Sequence, residues 1–202
     1  IVVVGRFSGS EALAAVGSTT ALINVFTNLF IGISLGANVL AARFYAAGKD
    51  REMSETVHTS ITLALISGIM MAVIGVLLAK WALEIMGTPD DVIGQSALYM
   101  RIYFMGMPFF MLYNYEAAIL RAIGDTKRPL IFLIISGIAN AALNMILVIL
   151  FHMGVAGVAI GTIISQLISC VLVLTCLYRS EGSYQLRFSK LKINGAYMEQ
   201  IF

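Results

Sequence analysis

The sequence predicts an all-α membrane protein, a lobe of six transmembrane helices of which the first is truncated. Two observations lead to this fold class. Hydrophobic residues make up 59% of the 202 residues and charged residues only 12%, whereas a soluble domain carries about 25% charged residues. In addition, the stretch from Pro129 to Tyr178 contains no Asp, Glu, Lys or Arg. It is long enough for two bilayer crossings of about 20 residues each.

Charged residues and glycines delimit the six predicted spans. The first span opens the chain, and the second and third are long uncharged stretches with charged residues on both sides. The fourth contains Pro108, which in a membrane helix predicts a kink rather than a break. The fifth and sixth divide after His152, where Gly154 and Gly157 permit a tight turn. The predicted spans cover about residues 1–8, 13–42, 54–80, 92–121, 129–151 and 155–178.

Two regions are predicted along the chain. Residues 1–182 form an amino-terminal transmembrane lobe, and residues 183–202 form a cytoplasmic segment between lobes that includes the start of a further helix. The sequence begins within an apolar run, without an initiator Met or a charged leader, so its first helix is interpreted as truncated.

The loop charges predict the orientation of the lobe, because Lys and Arg accumulate on the cytoplasmic side of membrane proteins. The loops after the second, fourth and sixth spans hold three, three and four of these residues, ten in all, whereas the intervening loops hold only Arg6 and Lys80. The three basic loops are therefore predicted to be cytoplasmic, in a multi-pass protein of the inner cell membrane.

Amide side chains recur at helical spacing in three spans. Asn24 and Asn28 lie four residues apart in the second span, and Asn140 and Asn144 do so in the fifth. Gln166 lies in the sixth span beside a stripe of glycines and serines. Residues four apart share one face of a helix. Such stripes either hold helices together or line a cavity, since buried amides are costly unless water or a ligand satisfies them.

The fourth span combines aromatic residues with methionines near its middle, too far from the membrane interface for an aromatic belt to account for all of them. Methionine-rich apolar surfaces adapt to varied ligands. We therefore predict that a substrate contacts amides and adaptable apolar side chains of this lobe. The predicted substrate-binding residues are Asn24, Asn28, Tyr103, Met107, Met111, Asn140, Asn144 and Gln166.

The two charged residues inside the fourth span are predicted to lie near its ends, because charges there can snorkel to water. Arg101 is expected to reach the outer interface, toward Asp90 or Asp91, and Glu116 is expected near the inner interface, close to Arg121. Both are interpreted as structural.

Catalytic and metal chemistry are not indicated. Residues 32–36 match the G-x-S-x-G pattern of serine hydrolases, but they lie in the middle of a predicted helix rather than at a strand-to-helix turn. His58 and His152 are predicted at opposite ends of the lobe, and Cys170 and Cys176 lie six positions apart in an apolar run, which is not a zinc spacing. We predict that the chain is not an enzyme and that it has no catalytic residue, metal site, cofactor or nucleic-acid partner.

Three short stretches carry a resemblance to a known family. They are Gly5-Arg6 followed by Glu11-Ala12-Leu13-Ala14-Ala15-Val16-Gly17; Leu120-Arg121-Ala122-Ile123-Gly124-Asp125-Thr126-Lys127 with Pro129; and Gly154-Val155-Ala156-Gly157-Val158-Ala159. They resemble the first loop, the loop between helices four and five, and the turn into helix six of multidrug and toxic compound extrusion (MATE) transporters. The resemblance extends over nearly all 202 residues, but only over the amino-terminal half of a family member, which has twelve helices in two six-helix lobes.

The resemblance implies a secondary active antiporter. Such a protein exports amphipathic or cationic organic compounds in exchange for Na⁺ or H⁺, by alternating access between its two lobes. The implied partners are small organic substrates, the lipid bilayer and the missing carboxy-terminal lobe. Some members carry in helix five an Asn followed four residues later by an Asp that acts in ion coupling; here Asn144 matches the Asn, but Val148 stands at the position of the Asp.

A lipid-linked precursor flippase of the same broad superfamily is the alternative. It would share the helical lobe, but it would be expected to line its cavity with several basic residues. Among the Lys and Arg residues, only Arg101 lies in the interior of a predicted span rather than near its end, so the sequence favours the multidrug antiporter.

Overall fold

The computed structural model describes residues 9–187 and residue 201, and these residues form helices without any strand. The first predicted span and residues 188–200 lie outside the described part of the chain. The helices are α1 (Gly9–Ala46), α2 (Asp50–Ile85), α3 (Asp90–Met105), α4 (Met107–Ala122), α5 (Lys127–Met145) and α6 (Gly154–Arg179), and a π-helical turn, Ile146–Leu150, extends α5.

Four stretches of the described chain are long and apolar enough to cross a membrane, namely Ser10–Ala46, Asp50–Ile85, Lys127–Leu150 and Gly154–Arg179. They correspond to the second, third, fifth and sixth predicted spans. The fourth predicted span is made of α3 and α4 in succession. The all-α membrane fold that the sequence predicts is therefore confirmed.

The fourth span is interrupted at Gly106, which corrects the prediction of one kinked helix over residues 92–121. Pro108 stands in the first turn of α4 and has no N–H with which to continue the α-helical ladder. Short turns bridge the interruption: the Gly106 N–H donates to Tyr103 O at 3.0 Å, and the Phe110 N–H donates to Gly106 O at 3.2 Å. The chain therefore continues in one general direction through two shorter helices.

The core of the bundle lies where α2 packs against α4. Gly68 of α2 faces the backbone of Met107 and Pro108, and Gly75 lies against the ring of Phe104. The later position in α2, Gly75, meets the earlier position in the α3–α4 pair, Phe104. The α2 helix and the α3–α4 pair therefore run antiparallel. Fully buried side chains around this contact are Met53, Leu83, Met100, Phe104, Met107, Met111, Tyr115, Ile119 and Leu120.

The outer faces of α2 and α5 are apolar and exposed. Val73 and Leu77 of α2, and Leu130, Ile134 and Ile138 of α5, are among the large hydrophobic residues on the surface. An apolar surface of this extent is unusual on a soluble protein, but it is the expected surface of helices that face lipid.

The loop between α4 and α5 turns at Gly124. Gly124 has φ of +85°, a left-handed conformation that glycine adopts readily, and the Asp125 N–H donates to Leu120 O at 2.9 Å, which caps α4. The Asp125 carboxylate accepts from the Arg128 backbone N–H at 3.1 Å and lies 3.1 Å from its guanidinium. This local network fixes the start of α5.

Candidate functional site

The polar residues of the candidate site lie on α5 and α6, which pack side by side. A tight turn joins the two helices, with His152 and Gly154 both at φ of +52°. The turn reverses the chain, so the middle of α5 meets the middle of α6. Asparagines of α5 then face hydroxyl groups of α6.

Asn140 links the two helices. Its Nδ2 donates to Thr162 Oγ1 at 3.4 Å and to Ser165 Oγ at 3.3 Å. Each of these hydroxyls donates in turn to its own helix backbone, Thr162 to Val158 O at 2.9 Å and Ser165 to Thr162 O at 2.7 Å. Asn140 is therefore held by two acceptors, which suits a packing contact within the membrane.

Asn144 stands one helical turn further along and is only half satisfied. Its Nδ2 donates to Asn140 Oδ1 at 3.0 Å, while its own Oδ1 is buried without a hydrogen-bond partner among the described residues. Gly161 of α6 makes the space for this oxygen, since a Cβ there would lie 2.5 Å from it. The two helices thus enclose an amide oxygen that can still accept a hydrogen bond.

Gln166 extends the polar surface from α6 toward α3. Its amide lies beside the Tyr103 hydroxyl, and its Oε1 is the second buried amide oxygen of the described chain that lacks a partner. Gly106 makes room for this side chain, because a Cβ there would lie 2.8 Å from Gln166 Oε1. Tyr103 also packs against Tyr99, with ring centroids 6.1 Å apart.

The structure places the other predicted site residues elsewhere. Asn24 and Asn28 lie on the exposed side of α1, away from the α5–α6 contact. Met107 and Met111 are 0% exposed and belong to the core between α2 and α4, a position that does not favour a role as substrate wall. The predicted set therefore divides in two. In the polar group, Asn140 bonds Asn144 and Gln166 lies beside Tyr103, whereas the asparagine pair of α1 and the methionine pair of α4 lie apart from it. We call that polar group, made of Tyr103, Asn140, Asn144 and Gln166, the amide cluster.

Two residues that complete the amide cluster, Thr162 and Ser165, were not among the predicted site residues, and neither was Gly161. Their signal is present in the sequence, because Gly161 and Ser165 lie four residues apart on one face of α6. The spacing alone did not show which helix that face would meet.

The two intramembrane charges do not lie as predicted. Glu116 is 0% exposed, and both of its carboxyl oxygens lack a hydrogen-bond partner among the described residues; the neighbouring titratable group is Cys170. α4 is buried on all sides at this level, so the side chain cannot snorkel to the inner interface. Arg101 is exposed, and within the described chain it forms no ion pair with Asp90 or Asp91.

The amide cluster offers acceptor chemistry and an aromatic face. Carbonyl oxygens of Asn144 and Gln166 can accept from N–H or O–H groups of a ligand, and the Tyr103 and Tyr99 rings can receive an apolar or cationic group. The described residues contain no group of three or more His, Cys, Asp or Glu side chains that could hold a metal ion.

Comparison with known proteins places the chain among membrane transporters. The family model described as MatE matches residues 1–146. The "Probable multidrug resistance protein YoeA" of Bacillus subtilis is 35% identical over 191 residues, which are 93% of this chain and 41% of that protein. The "Multidrug export protein MepA" of Staphylococcus saprophyticus is 23% identical over 200 residues, 98% of this chain and 44% of that protein.

The fold agrees with a solved structure described as the inward-facing conformation of a multidrug resistance MATE family transporter of the MOP superfamily. The TM-score is 0.91 at 20% identity, and the match covers 98% of this chain and 46% of that chain. The present chain thus spans less than half the length of the relatives it matches.

Proposed function

The chain belongs to the MatE family, and we propose that it forms the amino-terminal lobe of a secondary active multidrug efflux transporter. The observation that carries this proposal is the amide cluster, in which one amide oxygen from α5 and one from α6 are buried without partners among the described residues, and Gln166 lies beside the Tyr99–Tyr103 pair. Polar groups left unsatisfied within a membrane protein mark ligand paths and cavities.

The substrates of this transporter are amphipathic or cationic organic compounds. Asn144 and Gln166 present acceptor oxygens to the N–H groups of such molecules, while Tyr99 and Tyr103 present ring faces that attract both apolar and cationic groups. No Lys or Arg lies in the cluster, and this composition favours a cation over the anionic headgroup of a lipid-linked precursor.

The driving force is exchange with Na⁺ or H⁺, and the coupling carboxylate lies outside α5. That helix contains no Asp or Glu, and Val148 is 2% exposed within an apolar cluster that includes Tyr99. The chain acts in the inner cell membrane together with a carboxy-terminal lobe. The exposed amides Asn24 and Asn28 of α1 provide a polar face that such a lobe, or a substrate between the lobes, can contact.

Alternating access requires two repeats that move around a shared site, so the present chain alone is expected not to transport. Vesicles that contain only residues 1–202 should show no ion-driven efflux of a cationic dye, whereas vesicles with the complete two-lobe transporter should. Efflux by the chain alone would refute the two-lobe proposal.

The substrate site is tested in the complete transporter with Asn144→Ala. Resistance to a panel of cationic and neutral drugs should change in rank order, while membrane abundance stays normal, because the substitution removes an acceptor oxygen but no bond between helices. Asn114→Ala is the matched control, since its amide donates to Phe110 O within the same helix and lies outside the amide cluster.

Val148→Asp in the same transporter tests the coupling proposal. The ion dependence of efflux should stay unchanged, because Val148 lies in an apolar cluster with Val16 and Tyr99. A changed ion dependence in Val148→Asp would contradict the proposal that the coupling carboxylate lies outside α5. For the preceding test, an unchanged drug profile in Asn144→Ala would contradict the assignment of the substrate site.

A further inference from the structure

The segment after α6, residues 180–187, folds back onto the helical bundle. Leu186 is 0% exposed, and its N–H donates to Leu177 O at 3.1 Å. The Tyr184 ring meets the Tyr45 ring of α1 edge to face, with centroids 6.3 Å apart. The path from α6 to whatever follows is therefore attached to the bundle rather than free.

His58 of α2 makes the attachment at the end of this segment. The ring is 3% exposed, its Nδ1 lies 2.6 Å from Ser54 O, and its Nε2 accepts from the Arg187 backbone N–H at 3.1 Å. A backbone carbonyl can only accept and a backbone N–H can only donate. The proton of the ring must therefore be on Nδ1 and the lone pair on Nε2, so that the bond to Arg187 exists only with the neutral imidazole.

A second proton on His58 would remove this bond. It would occupy Nε2 and turn that atom into a donor that faces the Arg187 N–H, which has no acceptor to offer. It would also place a positive charge in a buried site whose Nε2 partner is another donor. Histidine is the side chain that ordinarily changes charge between about pH 5 and 8, and the bond to Arg187 exists only while the ring carries a single proton.

The charged groups around His58 do not replace the lost acceptor. On α2, Glu55 lies three residues before His58, and its carboxylate lies 3.1 Å from Arg51. The elements packed against this end of α2 contribute Arg43 from α1, Glu116 and Arg121 from α4, and Glu181 and Arg187 from the segment. α3 contributes Asp90 and Asp91, which lie at the start of that helix beside the opposite end of α2. In the described chain the ring itself has two backbone partners, Ser54 O and the Arg187 N–H.

We propose that His58 is a protonation-controlled latch that holds the backbone of Arg187 against α2 and releases this end of the segment on acidification. The latch lies within the residues described here and operates whether or not the chain transports a substrate.

The test is a distance measurement in lipid nanodiscs. Spin labels are attached to Lys49→Cys and Arg187→Cys, two exposed positions at the start of α2 and at the end of the segment, in a background of Cys170→Ala and Cys176→Ala. The Arg187 substitution keeps the backbone N–H. Pulsed electron resonance at pH 7.5 should show one short distance, and at pH 5.5 that population should be lost in favour of longer and broader distances.

Two variants test whether His58, rather than another group, controls the pH dependence of the distance. His58→Gln offers an acceptor that does not titrate, so the distance should no longer depend on pH. The chain contains one other histidine, His152, at the turn between α5 and α6, and His152→Gln should keep the full response. An unchanged distance in the parent protein, or a response that persists in His58→Gln, overturns the proposal.

A second measurement on the unaltered chain covers the case in which His58→Gln does not fold. Amide hydrogen exchange of Arg187 should lose protection between pH 7.5 and 5.5 relative to the amide of Ser180, which donates to Cys176 O at 3.0 Å and does not involve His58. Equal protection of the two amides at both pH values overturns the latch.

Discussion

The interface between α2 and α4 and the interface between α5 and α6 both use a glycine to bring two helices close, but different groups fill the space. Opposite Gly68 lies the backbone of Pro108, whereas opposite Gly161 lies the side-chain oxygen of Asn144. Backbone atoms cannot move without shifting a whole helix, while an amide can rotate. The first interface is therefore a rigid core, and the second can adjust to a ligand.

Gly68→Ala should have the largest effect, because it breaks the rigid interface. The new Cβ would lie 2.6 Å from Pro108 Cα and 3.2 Å from Met107 O. Overpacking of this kind lowers the free energy of unfolding by about 1–3 kcal/mol. Thermal unfolding in lipid nanodiscs and the yield of folded protein would measure the loss.

Gly137→Ala is the matched control for that variant. It lies within α5, and a Cβ there meets nothing within 4 Å among the described residues. Alanine favours the helix over glycine by roughly 0.5–1 kcal/mol, so this variant should be neutral or more stable. Equal losses in the two variants would show that the α2–α4 contact is no tighter than the lipid-facing surface of α5.

Glu116→Met tests whether the buried carboxyl of α4, which has no hydrogen-bond partner among the described residues, lowers the stability of the protein. Leaving a buried polar group unsatisfied costs about 1–3 kcal/mol, so its replacement by an apolar side chain of similar length should raise the free energy of unfolding by that amount. Thermal unfolding would detect the increase.

Glu84→Met is the control for this increase, because Glu84 is exposed and lies 3.8 Å from Lys80. Surface changes of this type stay within about 0.5 kcal/mol. A loss of stability in Glu116→Met alone would contradict this prediction, because it would mean that the carboxyl contributes a favourable interaction.

Asn140→Ala and Asn144→Ala compare the contributions of two asparagines to the stability of the α5–α6 interface. Asn140 bonds across to Thr162 and Ser165, so its loss should lower the free energy of unfolding by about 0.6–1.7 kcal/mol. Asn144 donates to Asn140 on the same helix, so Asn144→Ala should lower the free energy of unfolding by less. Unfolding of both variants in the same lipid would compare them, and the reverse order would assign the packing role to Asn144.

Gly161→Ala should have the smallest effect, because only a side chain has to move. In the parent protein the Cβ would crowd Asn144 Oδ1 at 2.5 Å, at a cost of less than about 1 kcal/mol after the amide rotates. Combined with Asn144→Ala, the same change should be neutral or stabilising. A double-mutant cycle on thermal unfolding measures the difference, and a coupling of zero would show that Gly161 does not accommodate Asn144.

The sequence predicted the helical lobe because composition and uncharged length are direct consequences of the bilayer. The four-residue spacing of Asn140 and Asn144 also predicted that they share a face, and the structure shows them hydrogen-bonded to each other. Both signals are local, so no knowledge of neighbouring helices was needed.

The remaining details depend on which helices surround a residue. Glu116 and Met111 lie on a helix that is covered on all sides, and such a helix has no exposed face whose pattern could distinguish a core position from a cavity wall. The division of the fourth span at Gly106 likewise follows from Pro108 and from the close approach of Gln166, which belongs to a helix far along the chain.

The π-helical turn at Ile146–Leu150 changes what a spacing of four residues means after Asn144. There the Phe151 N–H donates to Ile146 O at 3.2 Å, a bond that spans five residues instead of four. Val148 lies in this turn and packs in the apolar cluster that includes Val16 and Tyr99. A substitution at position 148 would therefore place the new side chain among apolar neighbours from α1 and α3.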